Sequence, residues 1–429
     1  MNEALEVYLW GTRIGVASRT SESPVVSFAY DRDFIRMGVE PSPLMMPIGE
    51  SVYAFPELPS ATFHGLPGLL SDSVPDKFGN AVIDIWLRSV GRTPGSLTPI
   101  ERLAYTGTRG MGALEFRPTL FKEGDVDEQL HVERLSELAA EVLKLRTSAG
   151  TVISSEADKY APILRVGSSA GGARAKALIG WNRETGEVRS GQVKLPPSFE
   201  YWMIKFDGID GNGDKEADDA RGFGRVEYSY YLMAKAAGIE MAECRLWNAR
   251  HFMTRRFDRT SSGDKLHMLT LGGMAHFDFN DPLSYSYEQA FRVTRRVTAD
   301  VRAEEQLCRR MVFNVFAWNC DDHVKNIAYL MDRNGSWRLS PAYDLGYAYN
   351  PEGSWTARHQ MSINGKREGI TDEDMISCAA SGGLAPAKAK AIIDEVRSVT
   401  TAYPQFAELA QVREDFIQLI TKQIINSAQ

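Results

Sequence analysis

The stretch WNCDDHVKNIAYL, residues 318–330, puts two aspartates, a histidine, a lysine and an asparagine into six consecutive positions between apolar flanks. Asp321 and Asn326 stand in a D-x-x-x-x-N interval. An aspartate on such a tight loop can accept or orient the proton of an attacking hydroxyl. An asparagine on the same loop can turn its carbonyl oxygen toward magnesium, a hard cation that takes oxygen ligands and keeps some of its water. Further on, LSPAYDLGYAY places Asp344 where the chain returns from the hairpin AYLMDRNGSWRLS, the position for a main magnesium ligand. An acid to steer a hydroxyl and oxygens to hold magnesium are the parts of phosphoryl transfer, which needs positioning and charge neutralisation more than covalent chemistry.

Phosphate must then be held from another element. YWMIKFDG offers Lys205 between Ile204 and Phe206, and a lysine inside an apolar strand needs an anionic partner. Glu227, on the helix that follows, is the candidate ion-pair partner. Upstream, GSSAGGARAKAL is a Gly/Ser-rich turn whose backbone N–H groups, at Gly171 and Gly172 above all, can face phosphate. It is not a Walker A loop, because Ala173 stands where the lysine must be, and it contains no GxGxxG. Each piece is weak alone. Their order (Gly-rich turn, strand lysine, helix glutamate, D-x-x-x-x-N, hairpin, aspartate) is the order of parts in a protein kinase.

The elements that must carry these residues fall into three stretches. Residues 1–125 open with LEVYLWGTRIGVAS, read as strand, Gly-centred turn and strand. A loop, the helix NAVIDIWLRSVG and the Gly-rich TGTRGMGALEF complete a small α+β subdomain. Residues 126–258 begin with the amphipathic helix HVERLSELAAEVLKL, with Leu135, Leu138, Val142 and Leu145 at spacings of three and four. ILRVGSSAGGARAKALIGW, residues 163–181, reads as strand, turn and strand. GEVRSGQVKL, YWMIKFDG and CRLWNARHFMTRRFDR add strands, and VEYSYYLMAKAAGI is a helix closed by Gly238. Residues 259–429 are mostly helical, in YEQAFRVTRRVTADV, EEQLCRRMVFNVFAW, PAKAKAIIDEVRSV and REDFIQLITKQII, and the Asp321 loop follows the second of these. The expected fold is α+β and protein-kinase-like. A mixed-β ATP-binding lobe and a helical C-terminal lobe with the catalytic loop follow the small N-terminal subdomain.

Composition narrows the field. The net charge of −7 speaks against nucleic-acid binding by the chain as a whole. Cys244, Cys308, Cys320 and Cys378 form no CxxC pair, so reduced, buried thiols are expected. MNEALEVYLWGTRIG lacks the basic and apolar regions of a signal peptide, and no apolar run approaches the roughly 20 residues that span a bilayer. A soluble cytoplasmic protein with no membrane partner is expected. DGIDGNGDKEADDAR resembles a calcium loop until Lys215 and Arg221 fall where glycine and glutamate are required, so it reads as an acidic surface loop.

NCDDHVKN, SPAYDL, GGARAKAL and IKF together resemble the HipA family of bacterial serine/threonine kinases, the toxins of type II toxin–antitoxin pairs. GLPGLLSDSVPDKFG and TGTRGMGALEF are similar to the N-terminal subdomain of full-length members. The resemblance implies ATP and Mg2+ as cofactors. It makes Asp321 the catalytic aspartate, His323 and Lys325 the polar residues around the γ-phosphate, Asn326 and Asp344 the metal ligands, and Lys205 the phosphate lysine. RRFD, residues 255–258, resembles the hinge that holds adenine, which brings in Arg255 and Phe257. Ser169, or its neighbour Ser168, matches the serine whose autophosphorylation inactivates the kinase. A protein substrate, in the family often an aminoacyl-tRNA synthetase, and a helix-turn-helix antitoxin that makes most of the contact with operator DNA are the implied partners. The sequence departs from the family at Asp322, where some members have glycine, and that acid either adds charge near the metal or caps the turn. The segment LHMLTLGGMAHFDFNDPLSYSYEQAF also departs, so the resemblance does not define the surfaces that meet substrate and antitoxin. A nucleotide-binding regulatory pseudokinase and a small-molecule phosphotransferase are the other readings.

Overall fold

A computed structural model describes residues 3–121, 128–147, 157–167, 174–209 and 221–428. The chain divides into two compact units. One holds residues 1–219, 253–269 and 331–335, and the other residues 220–252, 270–330 and 336–429.

In the first unit, β1 (Glu3–Leu9) and β2 (Thr12–Arg19) pair antiparallel across Trp10 and Gly11, whose φ angles are 51° and 84°. Two successive left-handed residues make the tight turn that matches strand twist, and glycine is the residue that adopts that conformation freely. Leu5, Val7 and Leu9 are buried in alternation, the period-two pattern of a sheet with one covered face. β3 (Ser27–Tyr30), β4 (Val52–Tyr53) and β5 (Leu114–Arg117) complete an antiparallel sheet of order β4-β3-β2-β1-β5. Helix Pro99–Thr106, which starts at a capping box between Thr98 and Glu101, packs on this sheet, while helix Lys77–Ser89 buries Phe78, Val82, Ile85 and their neighbours and packs on helices Val132–Thr147 and Ala157–Val166.

Later in this unit, β6 (Lys176–Trp181) pairs antiparallel with both β7 (Val188–Ser190) and β8 (Glu200–Lys205). The segment before β6 corrects the sequence reading. Residues 163–166, expected as a strand, end the helix Ala157–Val166. Tyr160, Ile163, Leu164 and Gly167 are buried at helical spacing. A short apolar run with β-branched residues fits strand and helix equally, and here the stripe reaching back to Tyr160 decides for helix.

β9 (Cys244–Trp247), β10 (His251–Arg255) and β11 (His267–Thr270) follow in chain order. The second unit is largely helical. Phe223–Ala236, Tyr287–Thr298, Val301–Phe316, Pro386–Thr401 and Glu414–Ala428 match the expected helices. Leu271–Ala275, Asp372–Ser381 and Tyr403–Leu409 were not read from the sequence. Their short or interrupted apolar stripes give little periodic signal. Helix Val301–Phe316 is the unit's axis: Leu307, Met311, Val312, Phe313, Val315 and Phe316 are all buried, on more than one face, as in a helix enclosed by others. After it come β12 (Ala328–Met331) and β13 (Trp337–Leu339). All four cysteines are free and buried, as composition suggested.

Candidate active site

The polar loop starts where helix Val301–Phe316 stops. Trp318 is left-handed, with φ 54°, and turns the chain so that Cys320 N–H donates to Ala348 O (2.9 Å) and Ala348 N–H to Trp318 O (3.1 Å). The chain then runs extended into a single 3-10 turn, Val324–Asn326. His323 caps that turn by accepting from the Lys325 N–H through Nδ1 (3.2 Å). Because Nδ1 accepts, the neutral ring carries its proton on Nε2. That nitrogen lies 3.7 Å from Asp321 Oδ1.

Asp321 is the centre of the group. Its side chain is 38% exposed, and Oδ1 accepts from Trp355 Nε1 (2.8 Å). Burial raises its pKa above the ordinary carboxylate value; His323 opposes this, and the nearby charge of Asp344 adds to it. Asn326 Nδ2 donates to the Asp321 main-chain oxygen (2.8 Å), which leaves the amide Oδ1 for another partner. Asp344 is exposed and left-handed, with φ 56°, a conformation uncommon outside glycine that here sets the aim of its carboxylate. Tyr343 Oη donates to Lys325 O (2.5 Å), tying the Asp344 segment to the loop. Lys325 Nζ sits 4.4 Å above the Phe279 ring. Asp321, His323, Lys325, Asn326 and Asp344 thus converge as the spacing suggested.

The alternatives left for Asp322 are resolved differently. Its carboxylate is buried. Oδ2 accepts from Tyr287 Oη (3.0 Å) and lies 3.1 Å from His359 Nδ1, while Oδ1 accepts from Gln360 N–H (2.7 Å). Tyr287 Oη accepts in turn from Asn314 Nδ2 (2.9 Å), and Asn314 Oδ1 from Asn319 Nδ2 (2.9 Å). A buried carboxylate is stable only when its lone pairs are met, and this one is met from one helix and a later loop. Asp322 therefore anchors the loop that carries Asp321 and Asn326. Sequence reasoning missed Trp355, Tyr287, Asn314 and His359, each a single polar or aromatic residue with no local motif around it.

In the first unit, Lys205 ends β8, buried, and Lys176 is its direct cross-strand partner on β6, also buried. Two ammonium groups facing each other across a ladder repel unless an anion lies between or beside them. Lys176 was not singled out in the sequence; only the antiparallel register brings it opposite Lys205. Glu227 is buried on helix Phe223–Ala236 of the second unit. In RRFD, Arg255 is partly exposed, 3.8 Å from Glu200, and Phe257 is half-buried. The other two residues serve the interior. Asp258 is fully buried and accepts from Arg256 Nε (3.0 Å) and Nη2 (2.8 Å), from Arg259 Nη1 (2.7 Å) and from Gly112 N–H (2.8 Å). Burial opposes its charge, but the two guanidinium groups prevail and hold its pKa far below the ordinary value. Ser168, Ser169, Gly171 and Gly172 lie outside the described residues, as does most of the acidic stretch after Asp207.

Among the described residues no three or more His, Cys, Asp or Glu side chains gather into a metal cage. The candidate donor set, the Asn326 amide oxygen and the Asp344 carboxylate, fits magnesium, which completes its shell with water and phosphate oxygens. No described helix is long and apolar enough to cross a membrane.

Residues 168–403, more than half of the chain, match the model of the HipA-like C-terminal domain, and residues 5–117 match that of the HipA N-terminal domain. The chain belongs to the HipA family. Its fold is similar to that of HipA from Shewanella oneidensis MR-1, solved in complex with HipB and operator DNA. The TM-score is 0.68 and the identity 17%, over 99% of this chain and 96% of that one. The Helicobacter pylori proinflammatory kinase CtkA matches with a TM-score of 0.37 and 12% identity, over 60% of this chain and 91% of that one.

Proposed function

We propose that this chain is a kinase-like toxin that transfers the γ-phosphate of Mg·ATP to a serine or threonine of a protein. The observation that supports this best is the convergence of the loop that carries Asp321, His323 and Asn326 with the later segment that carries Asp344. Asp321 takes or steers the proton of the incoming hydroxyl, and its raised pKa brings it nearer to what a general base needs at neutral pH. His323 and Trp355 hold that carboxylate in place. Magnesium, when bound, would be held by Asn326 Oδ1 and Asp344 and would neutralise phosphate charge. Lys205 and Lys176 face each other as a cationic pair suited to phosphate oxygens. Arg255 and Phe257 belong to the adenine hinge, Glu227 to the ion pair with Lys205, and Gly171 and Gly172 to the phosphate loop. Ser169 or Ser168 is the site of self-inactivation.

The Shewanella protein was solved with HipB and operator DNA, which supports a helix-turn-helix antitoxin as partner here. The net charge of −7 favours DNA contact through that partner. The family resemblance supports a bacterial protein as the substrate, in the family often an aminoacyl-tRNA synthetase.

Intact-mass spectrometry before and after Mg·ATP, beside Asp321→Asn, tests the reading. A gain of about 80 Da in the wild type alone, mapped to Ser168 or Ser169, is expected. ATP binding without transfer to itself or to any protein of a cell lysate would make the chain a regulatory pseudokinase, and phosphorylation of a metabolite alone would make it a small-molecule phosphotransferase.

A further inference from the structure

Arg310 lies within helix Val301–Phe316 and is 4% exposed. Its Nη2 donates to the main-chain oxygen of Ser340. Its Nε and Nη1 are buried with no protein acceptor in hydrogen-bond reach. A guanidinium stays charged at neutral pH even here, and charged donors in an interior demand acceptors. The side chain borders a cavity of about 20 Å³ also lined by Asp322, His323, Asn326 and Tyr343. That volume is enough for one water, and the wall supplies the several polar partners a buried water requires.

The position of Ser340 gives this contact its meaning. Ser340 begins the short segment that ends at Asp344, and its own N–H is fixed to Ala328 O (2.9 Å), just beyond Asn326. Arg310 therefore holds the root of one metal-ligand segment by a direct bond, while its side chain borders the cavity that the loop carrying the other ligand also lines. We propose that Arg310 is a positioning residue: through Ser340 O, and through one ordered water in this cavity, it locks the Asp344 segment onto the Asp321–Asn326 loop. The water accepts from Nε and Nη1 and donates toward the Asp322 and Asn326 side, which offers complementary charge. Arginine suits the place because its planar fork donates in several fixed directions at once, whereas a lysine ammonium would satisfy only one of the two sides. The consequence for catalysis rests on the reading of Asn326 and Asp344 as magnesium ligands; the mechanical lock does not.

The test uses full-length Arg310→Met and Arg310→Lys. Amide hydrogen exchange of the protein without nucleotide is read at residues 321–327 and 340–346, and Mn2+ binding in the presence of ATP is titrated by electron paramagnetic resonance. Both segments are expected to exchange about tenfold faster, with Mn2+ affinity lowered about tenfold or more while the KM for ATP stays within about twofold, the pattern of a lost supporting contact rather than of general unfolding. Arg310→Lys decides the matter if the methionine variant does not fold. Wild-type exchange at both segments in a folded variant would overturn the proposal. A wild type that binds no Mn2+ with ATP would instead overturn the kinase reading, and the exchange comparison would still judge the lock.

Discussion

Asp321 carries a carboxylate that its surroundings disfavour. Its pKa is raised by burial, with His323 opposing and Asp344 adding to the effect. A raised carboxyl pKa means that the folded state prefers the neutral form, so the stabilisation is present at low pH and is lost as pH rises through the folded pKa. At pH 7 the charged form therefore weakens the fold. Asp321→Asn removes that charge and keeps an oxygen for Trp355, so it should abolish transfer, leave ATP binding nearly intact and raise Tm at pH 7. Calorimetry and nucleotide titration of one sample check all three, and an unchanged turnover removes Asp321 as the base. Trp355→Phe keeps the ring and deletes the N–H on Oδ1. Loss of one hydrogen bond to a charged group should lower kcat about tenfold, with little change in the KM for ATP. A higher kcat would mean that the indole blocks the base rather than orients it.

The loop is held by elements that the motif does not mention. Helix Tyr287–Thr298 sends Tyr287 and the later segment sends His359 and Gln360 onto Asp322, while helix Val301–Phe316 sends Asn314 onto Tyr287. A second buried anchor lies in the first unit: Asp258 joins Arg256 and Arg259 to the Gly112 N–H of the Gly-rich piece. Lys265 repeats the link on Glu115 of β5 (2.9 Å). Removing one member of a buried charge network leaves the others unpaired, so Asp258→Ala should cost about 3–5 kcal/mol. Urea unfolding followed by tryptophan fluorescence measures this, and a loss under about 1 kcal/mol would show that the two arginines find other acceptors. Both anchors were hidden in sequence for the same reason: RRFD and DDH read as solvated charged turns, and nothing local tells which of the adjacent charges turns inward.

The whole chain should be sensitive to mild acid. His267 is fully buried, its Nε2 2.9 Å from Pro41 O, and burial lowers its pKa to about 4 from 6.5. The unfolded chain binds a proton there first, so stability is fully present above pH 6.5 and declines as pH falls toward 4, by about 3 kcal/mol at the end. Urea midpoints at pH 7 and pH 5, for the wild type and His267→Gln, should show a smaller drop in the variant. Equal drops would place the acid sensitivity elsewhere. Burial pushes the Cys308 thiol up to about 12 and those of Cys320 and Cys378 higher still, so these three thiols are poor nucleophiles in the folded state.

Spacing alone determined much of this. D-x-x-x-x-N followed by a hairpin and an aspartate placed Asp321, Asn326 and Asp344 together, because a tight loop and a short hairpin leave the backbone few other paths. Alternation gave β1 and β2, and helical stripes gave the long helices. Tertiary structure decided three things that no window of sequence contains. Residues 163–166 finish a helix, because the stripe from Tyr160 needed a core to pack on. Lys176 meets Lys205, because antiparallel register pairs residues far apart in the chain. Asp322 turns inward while its neighbour Asp321 stays partly exposed, because adjacent residues on an extended backbone point opposite ways, and only the positions of Tyr287, His359 and Gln360 determine which side is the interior.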